Sequence, residues 1–435
     1  MERKQRIFLI IFFFILFCFL GTGFVFYAQG FRLNFKTFEI SKVGAIYVKT
    51  SPAKADIFLN GKLINRGFSL FDSGVLINNL FPKKYLLEIK AKDYKDWKRH
   101  IAVLPSLVSE VKYVVLVPEK QNLALKSDIK SFLILPNENF LITNSNDEIN
   151  SDSFILKGNE IKNVSSDFEK VLTYDFKNKN YWLNNLKINT SADLGLIFKK
   201  NNLKFDFKNI IFTKENSNEI ILWDKNKISA FDLSKNKLNN LATSSLEILN
   251  ADSLKAWLAW SEFDAKNNIS NFYVFQKITN FLNKFSLPFK NLKLMLKNNN
   301  LFILQSDGGI YKYNLISGEN LKLASDLQDF YLSEDGNMLA ALEHNALEIF
   351  NFKDKTDYFR FNFPEAKDIL KIEWFRDNRH LFLYFKNEVK FMEIEDLNKE
   401  NIQTVANQEN GLYDLKTNRF YFVDNDVLKY IEFPD

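Results

Sequence analysis

Residues 331–352 read YLSEDGNMLAALEHNALEIFNF, and the arrangement returns at 373–394 as EWFRDNRHLFLYFKNEVKFMEI and at 413–433 as YDLKTNRFYFVDNDVLKYIEF. Each is an apolar strand, a polar turn, a second apolar strand, a short turn, and a third strand with alternate residues apolar. The turns Asp335-Gly336, Asp377-Asn378 and Thr417-Asn418 lie 42 and 40 residues apart. Marking the third strand at Ile228, Phe272, Ile310, Leu347, Val389 and Val427 gives spacings of 44, 38, 37, 42 and 38. A period of ~40–45 with several strands per unit is that of a β-propeller blade. One such sheet cannot cover its own apolar faces, whereas neighbours packed round a ring cover each other. Residues 119–435 hold about seven such blades, or eight. The last strand, Lys429-Tyr430-Ile431-Glu432-Phe433, is placed to complete the first blade and remove a free edge. Before Ile220 the phase is lost, since Phe154-Ile155-Leu156 and Tyr181-Trp182-Leu183 suit strands but are unevenly spaced. A large sandwich or a β-helix is the alternative.

The repeat resembles the irregular WD-like and Tol-type bacterial propellers in its period and in turns such as Ser333-Glu334-Asp335-Gly336. No Gly-His or Trp-Asp dipeptide recurs at the period, Trp223-Asp224 standing alone.

Upstream, residues 43–118 read as short strands. Ala45-Ile46-Tyr47-Val48 breaks at Ser51-Pro52, and Asp56-Ile57-Phe58-Leu59 runs into Asn60-Gly61 and Lys62-Leu63-Ile64. Asn-Gly between apolar runs is a strong hairpin signal, because both residues tolerate the positive φ of a type I′ turn. Tyr85-Leu86-Leu87-Glu88-Ile89-Lys90 and Val111-Lys112-Tyr113-Val114-Val115-Leu116-Val117 follow, enough for a small sandwich. Pro52-Ala53-Lys54-Ala55, then Asn60-Gly61, then Asp93-Tyr94 with Trp97, resemble the PEGA domain, a β-sandwich frequent on bacterial cell-surface proteins. Ala53 and Lys54 replace the Glu-Gly of that family's tetrad, and Asp93 replaces the Gly before Tyr94. The usual Thr-Pro is missing at Gly67-Phe68-Ser69. The resemblance implies a binding or spacer module without catalysis.

In front of both lies IFLIIFFFILFCFLGTGFVFYA, Ile7 to Ala28, within a charge-free run that extends to Phe31. Twenty-two helical residues span ~33 Å, enough to cross a hydrocarbon core of ~30 Å. The run exceeds the ~7–15 apolar residues of a signal peptide, and Phe26 stands where a cleavage site wants a small residue. An uncleaved transmembrane anchor is expected, with 1–6 as a cytoplasmic head and 29–42 as a juxtamembrane linker. Arg3, Lys4 and Arg6 on one flank balance Arg32, Lys36 and Lys42 on the other, so positive charge barely orients the segment. The short head favours a cytoplasmic N-terminus and an extracytoplasmic bulk. The one cysteine, Cys18, lies in the apolar run, so no disulfide forms within the chain.

The whole chain carries a net +5, but residues 32–435 hold 55 basic and 52 acidic groups. That near-balance offers no broad attraction for nucleic acid. The 45 Phe, with abundant Lys, Asn and Ile, read as the codon usage of an AT-rich genome. His100, His344 and His380 are far apart with no metal-like spacing, and read as surface or strand residues. Asp147, Glu148 and Asp152, and Asp424 with Asp426, lack the Gly and Glu of a calcium loop and read as solvated turns. Lys199-Lys200 beside Asn201 and Asn202 reads as a polar turn. A Gly-x-Ser-x-Gly elbow, a P-loop and a dinucleotide glycine run are absent. Trp257 and Trp260, in LKAWLAWSEF, suit either stacking on a sugar or packing between blades, and packing is preferred; Trp97 has the same two readings.

The expectation is an all-β chain with one transmembrane helix, a PEGA-like sandwich and a propeller. It would sit in a bacterial plasma membrane, single-pass, contacting the bilayer through 7–28 and presenting the propeller to an envelope protein, peptide or cell-wall polymer. No catalytic, metal or cofactor-binding residue is assigned. The alternatives are an envelope hydrolase or lyase with its site in the propeller channel, and a structural spacer without ligand.

Overall fold

The computed structural model describes residues 3–35, 38–65, 74–126, 128–151, 154–200, 209–353, 358–396, 399–408 and 410–434. Gly67-Phe68-Ser69, Asp152, Asn201 and Asn202 lie outside the described residues.

The apolar run forms the helix Arg3–Ala28. Its stretch Phe8–Ala28 has a mean hydropathy of 2.8 and no residue buried against the protein. A helix apolar all round needs an apolar surrounding, and this one is long enough to cross a membrane. Residues 29–42, expected as a linker, hold a hairpin of Phe31–Asn34 paired with Glu39–Lys42.

The small β-unit has two sheets. Gly44–Ser51 lies between Val75–Leu80, antiparallel, and Val108–Val115, parallel. Asp56–Leu59 pairs with Lys62–Leu63 and Lys84–Lys90, and the latter with Trp97–Ala102. Ile46, Val48, Ile57, Leu87, Ile89 and Val111 from the two sheets share one core, with Trp97 buried among them. The expected turn is present: Asn60 and Gly61 have φ of 50° and 76°. Asp93 also takes a left-handed φ of 66°, a conformation Asp reaches through its short polar side chain.

The described residues of the remainder form eight four-stranded antiparallel sheets. Numbered along the chain, blade 1 spans 131–155, blade 2 160–193, blade 3 209–243, blade 4 247–288, blade 5 291–324, blade 6 327–362 and blade 7 371–406. Blade 8 takes three strands from 411–432 and its fourth, Asn122–Lys126, from the start of the repeat region. The ring is visible in the apolar packing, because each core cluster joins two successive blades. Leu141 meets Val171 between blades 1 and 2, and Ile142 meets Tyr421 between blades 1 and 8. Between those ends, Leu172 packs with Ile220, Ile221 with Leu258, and Phe272 with Leu301. Phe302 packs with Phe330, Leu347 with Ile372, and Phe382 with Phe420.

The described residues form eight blades, the upper of the two expected counts. One expectation is corrected: the C-terminal strand does not complete the first blade, because Val427–Glu432 is third in its own blade and the upstream strand Asn122–Lys126 covers its edge. The phase was unreadable before Ile220 for a physical reason. Third strands begin at 149, 180, 227, 269, 310, 346, 389 and 427, so the first two intervals are 31 and 47 residues and the rest 36 to 43. Blade 1 is contracted, ending in the two-residue strand Phe154–Ile155. After blade 2 the chain inserts a helix, Leu194–Lys200, whose Leu194 and Phe198 pack into the blade 2–3 core. Lys199 and Lys200 therefore close a helix rather than form a turn, where cations oppose the partial negative charge of its C-terminus.

Candidate functional site

The inner strands surround the channel, and several of their charges are paired. Lys293 in blade 5 reaches Asp329 in blade 6 at 2.6 Å, and Lys214 after the inner strand of blade 3 reaches Asp252 in blade 4 at 2.8 Å. Lys371 and Glu373 pair at 2.5 Å on one strand of blade 7. Backbone bonds join the same strands across blades. The Leu296 N–H donates to Asp252 at 2.7 Å, the Tyr413 N–H to Glu373 at 3.1 Å, and the Trp374 indole N–H to the Tyr331 carbonyl at 3.0 Å. The Tyr384 hydroxyl, which burial and Glu373 hold well above its ordinary pKa, donates to Glu373 as well. A cavity of about 250 Å³ remains, lined by Lys293, Met295, Tyr331, Glu373, Trp374 and Tyr413. These groups hold the ring together.

A larger cleft, about 660 Å³, opens between blades 3 and 4. It follows from strand length. All four strands of blade 4 have eight residues, Glu247–Leu254, Trp257–Asp264, Ile269–Gln276 and Phe281–Pro288, while those of blade 3 have four to seven. The outer strands of blade 4 thus form the longer wall of the cleft. Alternation along the strands and the register Trp260↔Tyr273↔Lys284 bring these three side chains to one face, with Glu262 and Asn271 beside them. Asn240, Thr243 and Ser244 of blade 3 face them across the gap.

Trp260 and Tyr273 are stacked, ring centroids 5.0 Å apart and planes 5° apart. The Lys284 ammonium lies 5.1 Å from the centroid of the Tyr273 ring. The Tyr273 hydroxyl donates to Glu262 at 3.1 Å. Burial pushes the Tyr273 phenol above its ordinary pKa; Lys284 opposes this and Glu262 adds to it. Glu262 is only 5% exposed. Among the described residues no cation lies within ion-pairing distance of it, and the buried Trp260 indole N–H has no acceptor. A buried carboxylate normally has a cationic partner, so Glu262 leaves acceptor capacity on this wall for a polar ligand.

Trp257 and Trp260 do not form one platform. Three apart on a strand, they face opposite sides: Trp257 packs towards blade 5 and Trp260 towards blade 3. With Trp260 and Lys284 against the Tyr273 ring, the cleft offers hydrogen bonds rather than a free aromatic face. Trp97 belongs to the core of the small unit.

Of the histidines, His100 lies on an exposed strand with Nδ1 2.9 Å from Glu400, and His344 is in a blade 6 turn, 2.5 Å from Gln328. His380 is buried in blade 7, Nδ1 2.7 Å from Asp377, its ring stacked on Phe391 at 4.8 Å. Burial opposes its charge, but Asp377, Glu393 and Glu395 outweigh that and raise its pKa. Among the described residues no three of His, Cys, Asp and Glu converge as a metal site. Asp147 pairs with Lys130 at 2.6 Å in a loop, and Asp424, at the end of its strand, with Lys429 of the next at 2.5 Å. Glu262, Tyr273 and Lys284 match no motif; the available signal was the unusual strand length in 247–288.

The small unit docks on blade 7 along the free edge of Trp97–Ala102. The Lys98 and His100 backbone N–H groups donate to Asn401 at 2.8 Å and Glu400 at 3.0 Å. Arg99 donates to the Glu393 carboxylate at 2.9 Å and to the Glu395 carbonyl at 2.7 Å. An edge that would otherwise invite another strand is thereby capped.

No family model matches the chain, and no curated protein matches it. Among solved structures it is similar to Hsv2 of Kluyveromyces lactis, at 13% identity and a TM-score of 0.39, over 54% of this chain and 73% of that one. It is also similar to PorZ, a surface component of the type-IX secretion system of Porphyromonas gingivalis, at 14% and 0.42, over 69% of this chain and 42% of that one. An oligogalacturonate lyase from Vibrio parahaemolyticus matches at 11% and 0.42, over 70% of this chain and 98% of that one.

Proposed function

We propose that this chain is a membrane-anchored extracytoplasmic recognition protein of a bacterial envelope, with a PEGA-like sandwich holding an eight-bladed propeller near the bilayer. Its ligand, a protein, peptide or cell-wall polymer, enters the cleft between blades 3 and 4. The observation that carries this reading is the contrast between the two cavities. The channel charges of Lys214, Asp252, Lys293, Asp329, Lys371 and Glu373 are paired with one another across or within blades, whereas Glu262 and Lys284 line the roomier cleft with no ionic partner among the described residues. Polar groups left unmatched in a largely preformed cleft mark a binding site. Docking of the small unit on blade 7 supports the reading, because it fixes the propeller relative to the anchor.

The test is site-specific photocrosslinking in intact cells from Asn271, with Leu321 on the outer strand of blade 5 as control. Adducts with an envelope component are expected from position 271, absent from 321, and lost in Glu262→Gln with Lys284→Met. Equal adducts from both positions would refute the cleft. Full protection of residues beyond 32 from added protease would refute the orientation.

A further inference from the structure

The hairpin Phe31–Asn34 with Glu39–Lys42 presents two unlike faces. Phe31, Leu33 and Ile40 share one with Lys42, Leu33 lying directly opposite Ile40 and Phe31 opposite Lys42; Arg32, Asn34, Glu39 and Ser41 share the other. At the loop, Phe35 and Phe38 are 78% and 79% exposed, and Ile40 is 67% exposed. Phe26 packs edge-on against Phe31, while Leu33 and Ile40 on the same face stay exposed. A two-stranded hairpin is marginal in water and needs a further layer against its apolar side.

We propose that this hairpin lies in the bilayer interface, its apolar face against lipid, as a second membrane contact beside the helix. The inference rests on the helix being membrane-inserted. Three observations point to lipid as the occupant. The hairpin is tied to the helix end: the Val43 N–H donates to the Gly30 carbonyl at 3.0 Å, and Phe26 meets Phe31 edge-on at 5.2 Å. Four strand residues reach only ~14 Å, so the tip stays close to where the helix emerges. Cations stand among aromatics at that level, with Arg32 3.7 Å over the Tyr27 ring and Lys42 5.2 Å over Phe31, the pairing found at membrane–water boundaries. A second apolar patch sits at the hairpin base. Exposed Leu104 and Leu107 lie in a loop held to the following strand by the Ser106 N–H to the Val43 carbonyl and the Ala45 N–H to the Leu107 carbonyl, each at 3.0 Å. Lipid contact at both places would fix the tilt of the small unit, and with it the direction in which the propeller cleft faces.

The test uses full-length protein carrying Cys18→Ala and one new cysteine, at Phe38→Cys, Ile40→Cys, Phe14→Cys or Leu321→Cys. Each is labelled with a nitrobenzoxadiazole fluorophore in vesicles of phosphatidylethanolamine and phosphatidylglycerol. Quenchers are placed on lipids near the headgroup or deep in the chain. Labels at 38 and 40 are expected to shift to the blue and lose fluorescence to the shallow quencher, the label at 14 to the deep one, and the label at 321 to neither. If position 14 is quenched while 38 and 40 behave like 321, the hairpin contact is refuted and the anchor stands. If position 14 is not quenched either, the anchored reading falls with it.

Discussion

Replacing Arg99 by alanine should loosen the small unit from the propeller without unfolding either. Arg99 is about four-fifths buried and its partner Glu393 is 3% exposed. Burial already pushes the Glu393 carboxyl above its ordinary pKa, opposed by His380 and Arg99. Removing one partner of a buried pair costs ~3–5 kcal/mol, because the other charge is left without compensation; for a pair open on one side, about 3 kcal/mol is appropriate. The lost bond from Arg99 to the Glu395 carbonyl at 2.7 Å acts in the same direction. The amides of Lys98 and His100 report the contact directly, since side chains of blade 7 hold them. At ~1.4 kcal/mol per decade, residue-resolved hydrogen exchange of these two amides should accelerate about 100-fold. Amides of Lys84–Lys90, inside the sheet, should not change. Glu393→Gln added to Arg99→Ala should restore part of the protection, because no unpaired charge then remains. Unchanged exchange at 98 and 100, or equal acceleration in Lys84–Lys90, would refute the reasoning.

Two further outcomes follow from the same geometry. His380 has a raised pKa in the fold, so its stabilising contribution is fully present below the unfolded value of ~6.5 and is lost as pH rises through the folded value. The melting temperature should therefore fall as pH rises from the unfolded value through the raised folded one, and calorimetry of His380→Gln should show that slope flattened. Gly44→Ala should destabilise the small unit by ~1–3 kcal/mol through overpacking, since a Cβ there would lie 2.3 Å from the Leu104 carbonyl oxygen and 2.9 Å from that of Leu107. Gly61→Ala meets no neighbour and strains only a φ of 76°; an equal or larger loss at Gly61 in thermal melts would contradict the packing argument.

The repeat was legible because its markers sit where the fold allows least drift. Ile228, Phe272, Ile310, Leu347 and Val389 are fully buried third-strand residues, flanked by strands within the sheet and by blades on both faces. A polar substitution there would bury an unpaired group, so the apolar character recurs and the period shows. Outer strands have no such constraint, and the two-residue Phe154–Ile155 and the helix Leu194–Lys200 erased the phase in the first two blades. The cleft was illegible for the opposite reason. Glu262, Tyr273 and Lys284 converge through the register of three strands, and a one-residue slip would send one of them to the other face. No spacing rule carries that information.

The hairpin at 31–42 is a third case, in which the pattern was present and its meaning depended on the surroundings. Phe31 and Leu33 alternate with Arg32 and Asn34, and Ile40 with Glu39 and Ser41, which is the signature of a strand pair with one buried face. In water, with only two strands of four residues, that signature has no core to face, and a linker is the natural reading. Beside a helix of mean hydropathy 2.8 whose apolar stretch is not buried in the protein, the proposed lipid contact would supply the missing layer. Alternation next to an anchor is thus informative only when lipid is counted among the surfaces against which a strand can pack.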